Sequence, residues 1–447
     1  MATAAKLEAI RALVGAAPDA VLSSLAMALS GGGPDLGQVE ALVTQEQAAR
    51  RLRGVVFAPI LPLFSAREDG VRAPRFPREL MKDLWRALTA AEPKALEAAA
   101  RQLREWDGNP PAPECLDTLC LAAADLCEAG AGGQFQGQDA GASARELTIY
   151  LRLSPFARPA LARLGDWLGK ATEERAAVLR LLFKDAAEVC DDSAPRMMEM
   201  LLGHLPEASL VLRPIALITE RAGDRYLASS ELASFGERLI EQVEARVERL
   251  RGFDLRGGAP AAMVAAADVQ AAGALLTEIE HSVDLARDGP WGKRIAAARK
   301  SMAAMIESRL RECQKAVEAA LPMQAVRLTG RMTRPSPKVS TPPDPRHVEP
   351  AKALMLLLGE TRQAANTGGF GALRTQVAEG LSDWLEVYAD ELVHLINAGE
   401  APDVALAHAY LELAADFLAQ AENEKAAQIV RRRAAVAGAG SPSQDVA

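Results

Sequence analysis

The sequence predicts an all-α protein: an elongated, solenoid-like array or bundle of helical hairpins, with a smaller C-terminal helical domain. Three observations predict it. Ala is abundant, and Ala loses no side-chain entropy in a helix and lets helices approach closely. Aromatic residues, which favour strands, make up only 4% of the chain. Apolar residues recur at spacings of three and four along the middle of the chain, the pitch of one helix face.

Residues 1–129 read as an N-terminal helical region. Ala4–Ala16 and Pro18–Leu29 come first, with Pro18 suited to a first helical turn. Gly31, Gly32 and Gly33 end the second helix, and Asp35 can cap a third that runs to about Arg53. Pro77–Ala91, Pro93–Trp106 and Pro113–Glu128 follow. Residues 130–143, rich in Gly, Gln and Ala, read as a flexible loop and a domain boundary.

Residues 144–327 read as a central long-helix bundle. Its first clear helix spans Glu231–Arg251, with Leu239, Val243, Val247 and Leu250 on one stripe. The second spans Pro260–Ala286, with Val269, Ala272, Leu276, Ile279 and Val283 aligned. The third spans Pro290–Leu321, where Ile295, Met302, Ile306, Leu310, Cys313 and Val317 share a face. Such stripes need partner surfaces, because helical stability comes mostly from packing an amphipathic face.

Residues 328–350 hold six prolines and almost no apolar periodicity, and read as an extended, basic linker. A C-terminal helical domain, 351–436, resumes the pattern with Leu381, Leu385, Tyr388, Leu392 and Leu395. It closes on a helical pair over Asp403–Arg433. Residues 437–447 form a small-residue tail.

Within that last pair, Tyr410, Leu413, Ala414, Phe417, Ala426 and Val430 fall on the spacing of a tetratricopeptide repeat. The segment 407–440 resembles that family, though Arg433 and Gly438 stand where it expects a small residue and a proline. The resemblance implies a helical hairpin and a peptide-binding role, with Tyr410 and Phe417 as candidate contacts.

Composition sets outer limits. Hydrophobic residues are 49% and charged residues 25% of 447, a globular balance. The formal charge of −8 means the chain is not expected to coat nucleic acid over its whole surface. Arg far outnumbers Lys, which together with the Ala content fits a GC-rich bacterial genome. Five scattered cysteines give no disulfide framework and point to a reducing, cytoplasmic setting. Met1 to Gly15 lacks the pattern of a signal peptide, and the longest strongly apolar run, Val55 to Phe64, is too short to span a bilayer.

No local catalytic signature is present. The glycine clusters at Gly31–Gly33, Gly130–Gly133 and Gly368–Gly371 lack the Lys of a phosphate-binding loop and read as turns. Cys115 and Cys120, on one helix, would point about 140° apart and cannot share an ion. Two E-x-x-H pairs, Glu278/His281 and Glu391/His394, have the spacing of a dinuclear metal bundle but lie off the apolar stripes of their helices. His204, His347 and His408 have no nucleophile pattern beside them. Accordingly no catalytic residue, cofactor or metal is assigned.

Two basic features remain. Arg431, Arg432 and Arg433 end the last helix, where cations complement the helix dipole. Arg327, Arg331, Arg334, Lys338 and Arg346 crowd the linker with few acids. Of these, Arg331, Arg334, Lys338 and Arg346 are the candidate contacts to an acidic partner or a phosphate-bearing surface. The function these features favour is a non-enzymatic helical scaffold, adaptor or assembly subunit acting on protein partners. A helical enzyme whose site assembles only in three dimensions is one alternative. A nucleic-acid-associated regulator using the basic linker is the other.

Overall fold

The computed structural model describes residues 4–29, 36–130, 140–219, 223–327 and 333–437. The fold is all-α: among the described residues there are twenty α-helices and a single two-stranded sheet. The chain divides into two compact units, residues 1–222 with 230–232, and residues 223–229 with 233–447.

The first unit holds α1 (Ala4–Ala16), α2 (Asp19–Leu29), α3 (Gly37–Val56), α4 (Arg78–Ala91), α5 (Pro93–Glu105) and α6 (Cys115–Gly130). It continues with α7 (Ala140–Ala162), α8 (Leu164–Leu168), α9 (Glu173–Ala186), α10 (Ser193–His204) and α11 (Leu212–Ile218). Its centre is the pair α6 and α7. Small buried residues of α6 (Cys120, Ala123, Ala124, Cys127) let it lie close against α7, whose Leu147 and Leu151 are also fully buried. The apolar run after α3 is core: Phe57, Ile60 and Leu63 are fully buried.

The second unit holds α12 (Asp224–Leu227), α13 (Ala233–Arg251), α14 (Gly258–Ser282) and α15 (Pro290–Ala320). After the hairpin β1 (Met323–Arg327) and β2 (Thr333–Pro337) come α16 (Pro345–Glu360), α17 (Ala365–Gly368), α18 (Gly371–Asn397), α19 (Val404–Gln420) and α20 (Glu424–Val436). The stripe on α15 is buried along its length, from Trp291 through Ile295, Met302, Ile306, Leu310, Cys313 and Val317. Residues 255–282 form a helix long and apolar enough to cross a membrane by length and composition. It packs against α13 and α16, and its buried Asp268 receives Arg249 at 2.5 Å and Arg246 at 3.3 Å.

Both expected joints are corrected. The 328–350 segment is not an extended linker, because β2 pairs antiparallel with β1, Met323 opposite Pro337 and Val326 opposite Arg334. Helix α16 then starts at Pro345, inside the segment. Its apolar face packs on α14 and α15, so 351–436 is no separate domain. In the 130–143 segment, Gly130 ends α6 and residues 140–143 already belong to α7. Those two helices pack on each other, so the stretch joins neighbours within one unit. The expected turn at Gly31–Gly33, the Asp35 cap, residues 131–139, Arg331 and the tail beyond Ala437 lie outside the described residues.

Arginines fasten the helix ends. The last carbonyls of a helix have no partner within it, and here guanidinium groups from elsewhere in the chain bind them. Arg50 of α3 donates to Ala17, Gly15 and Val14 at 2.8, 3.0 and 3.2 Å, closing α1. Arg158 of α7 donates to Val55 and Val56 at 2.9 and 2.7 Å, closing α3. Arg67 reaches Leu202 and Leu205 at the end of α10 at 2.5 and 3.0 Å, and Arg180 reaches Leu217 near the end of α11 at 3.0 Å. In the second unit Arg374 of α18 donates to Leu358 of α16 at 2.9 Å. The same Arg374 holds Glu422, which takes a left-handed φ of 70° in the turn between α19 and α20. A planar fork of five donors suits this task, and a lysine ammonium does not.

Candidate functional site

The least ordinary surface lies at the start of the chain. Helices α1 and α2 pack on α3 around a small core of Val14, Leu22, Leu29 and Val43. Arg50 fixes their connection, since it also pairs with Asp19 at 2.6 Å and Glu46 at 2.7 Å. After Asp19, α2 carries no charged side chain. Its outward face is Ala20, Val21, Ser24, Leu25, Met27 and Ala28. Met27 is 72% exposed, Val21 46% and Leu25 39%, and Leu13 of α1 is 71% exposed. The two serine hydroxyls of α2 bond back to its own backbone, Ser23 to Asp19 at 2.9 Å and Ser24 to Ala20 at 3.0 Å. Their polarity is thus turned inward, and the face behaves as an apolar one. A helix apolar on all sides is normally buried on all sides. The sequence reading assigned α2 correctly as a helix but missed this face. The signal was its uncharged run AVLSSLAMAL.

The candidate contacts named from the sequence do not gather in one place. Arg334, on β2, pairs with Glu391 of α18. Arg346 folds onto its neighbour Asp344 at 2.9 Å, the residue that caps α16. Lys338 is exposed just after β2, and its amide donates to the carbonyl of Pro322 at 2.9 Å. Tyr410 and Phe417 are corrected as contacts. Both are only 1% exposed, since α19 packs against α16, α18 and α20. The Tyr410 hydroxyl donates to the Thr341 carbonyl at 3.1 Å. The arginines ending α20 also have partners: Arg431 binds Glu412 at 3.0 Å and Asp416 at 2.7 Å, and Arg433 binds Asp390.

The residues weighed for chemistry are dispersed. Glu391 serves Arg334, and Glu278 accepts from Ser282 at 2.9 Å. Burial pushes the Cys120 thiol up to about 11 and those of Cys127 and Cys313 to about 12, so all three stay protonated. No group of three His, Cys, Asp or Glu side chains poised for a metal ion occurs among the described residues. The most crowded polar cluster is structural in form. The guanidinium groups of Arg75 and Arg196 both lie against the Tyr150 ring, 5.4 and 5.3 Å from its centroid. Glu146 binds both arginines. A shallow cavity of about 400 Å³ beside Arg67 and Arg72 is lined by cations already engaged with Leu202, Leu205 and Pro62 carbonyls.

Comparison of the chain with protein-family models, with curated proteins and with solved structures finds no match.

Proposed function

We propose that the protein is a helical scaffold or adaptor that binds a protein partner through the exposed face of α1 and α2. The single observation that carries this reading is the uncharged, apolar outer surface of α2, flanked by Leu13. Burying Val21, Leu25, Met27 and Leu13 would be favourable at about 25 cal/mol per Å² of apolar area removed from water. The occupant this face suits is an amphipathic helix with an uncharged apolar stripe. A charge brought against it would be desolvated with nothing to pair with. Ala20, Ser24 and Ala28 let a partner backbone approach, while Val21 and Leu25 form the ridge it would straddle. The C-terminal hairpin plays no part in the proposal, since its aromatic residues sit in the core.

The test is a photo-crosslinking residue placed at Ser24, with Arg311 on α15 as the control position. The expected result is a discrete protein adduct at Ser24 alone. The double variant Val21→Lys, Leu25→Lys should abolish it while leaving the far-ultraviolet circular dichroism unchanged. No adduct at Ser24, or an adduct indifferent to the two lysines, would overturn the reading.

A further inference from the structure

Helix α14 shows one uncharged face to solvent. It packs against α13, α16 and α17, and its Val269, Leu276 and Ile279 are buried. Pro260, Met263, Val264, Ala267 and Ala274 are exposed, with Ala271 half-buried among them. Spacings of three and four place these residues on one side of the helix. Met263 is 47% exposed and Val264 64%. The polar side chains of this stretch turn away from that side. Asp268 is bound by Arg246 and Arg249. Gln270 donates to the Glu360 carbonyl at 2.5 Å, and Thr277 to the Gly273 carbonyl at 2.9 Å. From Pro260 to Ala274 the face is apolar over about 21 Å at the helical rise, and a contiguous exposed strip of this kind marks an interaction surface.

The two halves of the strip differ in size. Before Ala267 stand the larger Pro260, Met263 and Val264; after it Ala271 and Ala274 offer only methyl groups. The two ends differ in charge. Arg256 lies on the turn Leu255–Gly257 that leads into the helix. Its side chain is 92% exposed and touches Asp254 only loosely, at 3.6 Å. At the other end stands the half-buried Glu278, which accepts from Ser282 at 2.9 Å and has the exposed His281 beside it. Arg256 and Glu278 are each 11 residues from Ala267. That is about three helical turns in either direction, so the two charges bracket the same face.

These differences name the occupant. A half-rotation about Ala267 exchanges the large half with the small half and the basic end with the acidic end. The face is therefore complementary to itself in shape and in charge, which is what a two-fold interface between identical chains requires. A parallel copy would set Arg256 against Arg256 and Met263 against Met263.

We infer that this face binds a second copy of the chain, with the two α14 helices antiparallel about a two-fold axis at Ala267. Met263 of each copy lies over Ala271 of the other, and Pro260 over Ala274. Arg256 of each copy meets Glu278 of the other at the rim. The antiparallel arrangement also sets opposite helix dipoles side by side. One helix pair buries less than the roughly 1,600 Å² of a standard interface, so the dimer is weak and depends on concentration. This contact does not rest on the α1–α2 face, which lies in the other unit, and either can fail alone.

The test is sedimentation velocity of the full chain from about 1 to about 300 µM, a range that brackets a weak dimer. The sedimentation coefficient should rise with concentration. Val264→Lys should leave a monomer throughout, with unchanged circular dichroism. Arg256→Glu and Glu278→Arg should each weaken the dimer about tenfold, and the two together should restore it. Disulfide trapping reads the axis. With Cys115 and Cys190 changed to serine, Ala267→Cys should oxidise to a cross-linked dimer and Ala274→Cys should not, since only a residue on the axis meets its own copy. A monomer at every concentration, a dimer indifferent to Val264→Lys, a charge-reversed pair that fails to re-associate, or equal cross-linking at 267 and 274 would overturn the inference. A dimer lost in Val21→Lys, Leu25→Lys would move the contact to the α1–α2 face. Binding to phosphatidylglycerol vesicles that Val264→Lys abolishes, without dimerisation, would overturn it in favour of a membrane.

Discussion

Gly236 of α13 faces the indole of Trp291 so closely that a Cβ at 236 would lie inside the ring's van der Waals surface. Trp291 is buried and donates from Nε1 to Glu237 at 2.6 Å. The contact brings the N-terminal ends of α13 and α15 together, and one side chain more would push them apart.

Gly236→Ala should therefore destabilise the protein by about 1–3 kcal/mol, the usual effect of overpacking a core. Gly380→Ala is the matched control on α18, where a Cβ meets nothing within 4 Å. There the gain in helix propensity should add about 0.5–1 kcal/mol. Urea unfolding of both variants checks the pair; shifts of opposite sign are expected, the larger at Gly236.

Arg158→Lys should cost about 1–3 kcal/mol, because one ammonium cannot satisfy Val55, Val56 and Asp117 together and leaves buried carbonyls unpaired. Thermal melts of this variant against wild type measure the effect. A substitution at the exposed Arg86, whose side chain pairs only loosely with Asp83 at 3.1 Å, should change stability by less than about 0.5 kcal/mol.

Glu244 supplies a pH dependence. The hydrogen bonds from Arg294, at 2.8 Å, hold its carboxyl below the ordinary glutamate value of 4.5. A depressed folded-state value means that the stabilisation is fully present above the unfolded value and is lost as pH falls through the folded one. Glu244→Gln should thus be less stable than wild type at pH 7. The difference should shrink toward zero below about pH 4. Denaturant titrations at several pH values read it directly.

Thiol reactivity should separate the cysteines. Burial raises all five thiols, Cys190 to about 11 like Cys120, so access separates them: Cys120, Cys127 and Cys313 are buried, and Cys115 and Cys190 are half-buried. Attack on a disulfide reagent requires thiolate and access. At pH 8 the native protein should label at Cys115 and Cys190, and the other three only after guanidinium is added, as peptide mapping would record.

The sequence carried much of this fold, and the failures have particular causes. The long α13 was expected over 231–251 and spans Ala233–Arg251, because its apolar stripe is regular. Between residues 144 and 219 no helix was assigned. There Pro155 and Pro159 sit inside α7, and proline reads as a breaker in a linear pattern. The hairpin was hidden the same way: Pro335 and Pro337 look unfit for a strand until the register shows that neither position needs a donor. For the candidate contacts, the charges of Arg334 and Arg346 were legible, but the partner of Arg334 lies 57 positions away at Glu391. The apolar positions of Tyr410 and Phe417 were legible too. Whether they faced a groove or a core depended on the helix beside them.

The joints between helices carry one more consequence, for behaviour in alkali. A guanidinium in general keeps its proton to about pH 12 or beyond, where amines have discharged, and it is guanidinium groups that bind the backbone carbonyls at these helix ends. A relative built with lysine at those places would begin to loosen near about pH 10. This architecture should come apart in base only when tyrosine and thiol ionisation, and not its fastenings, gives way.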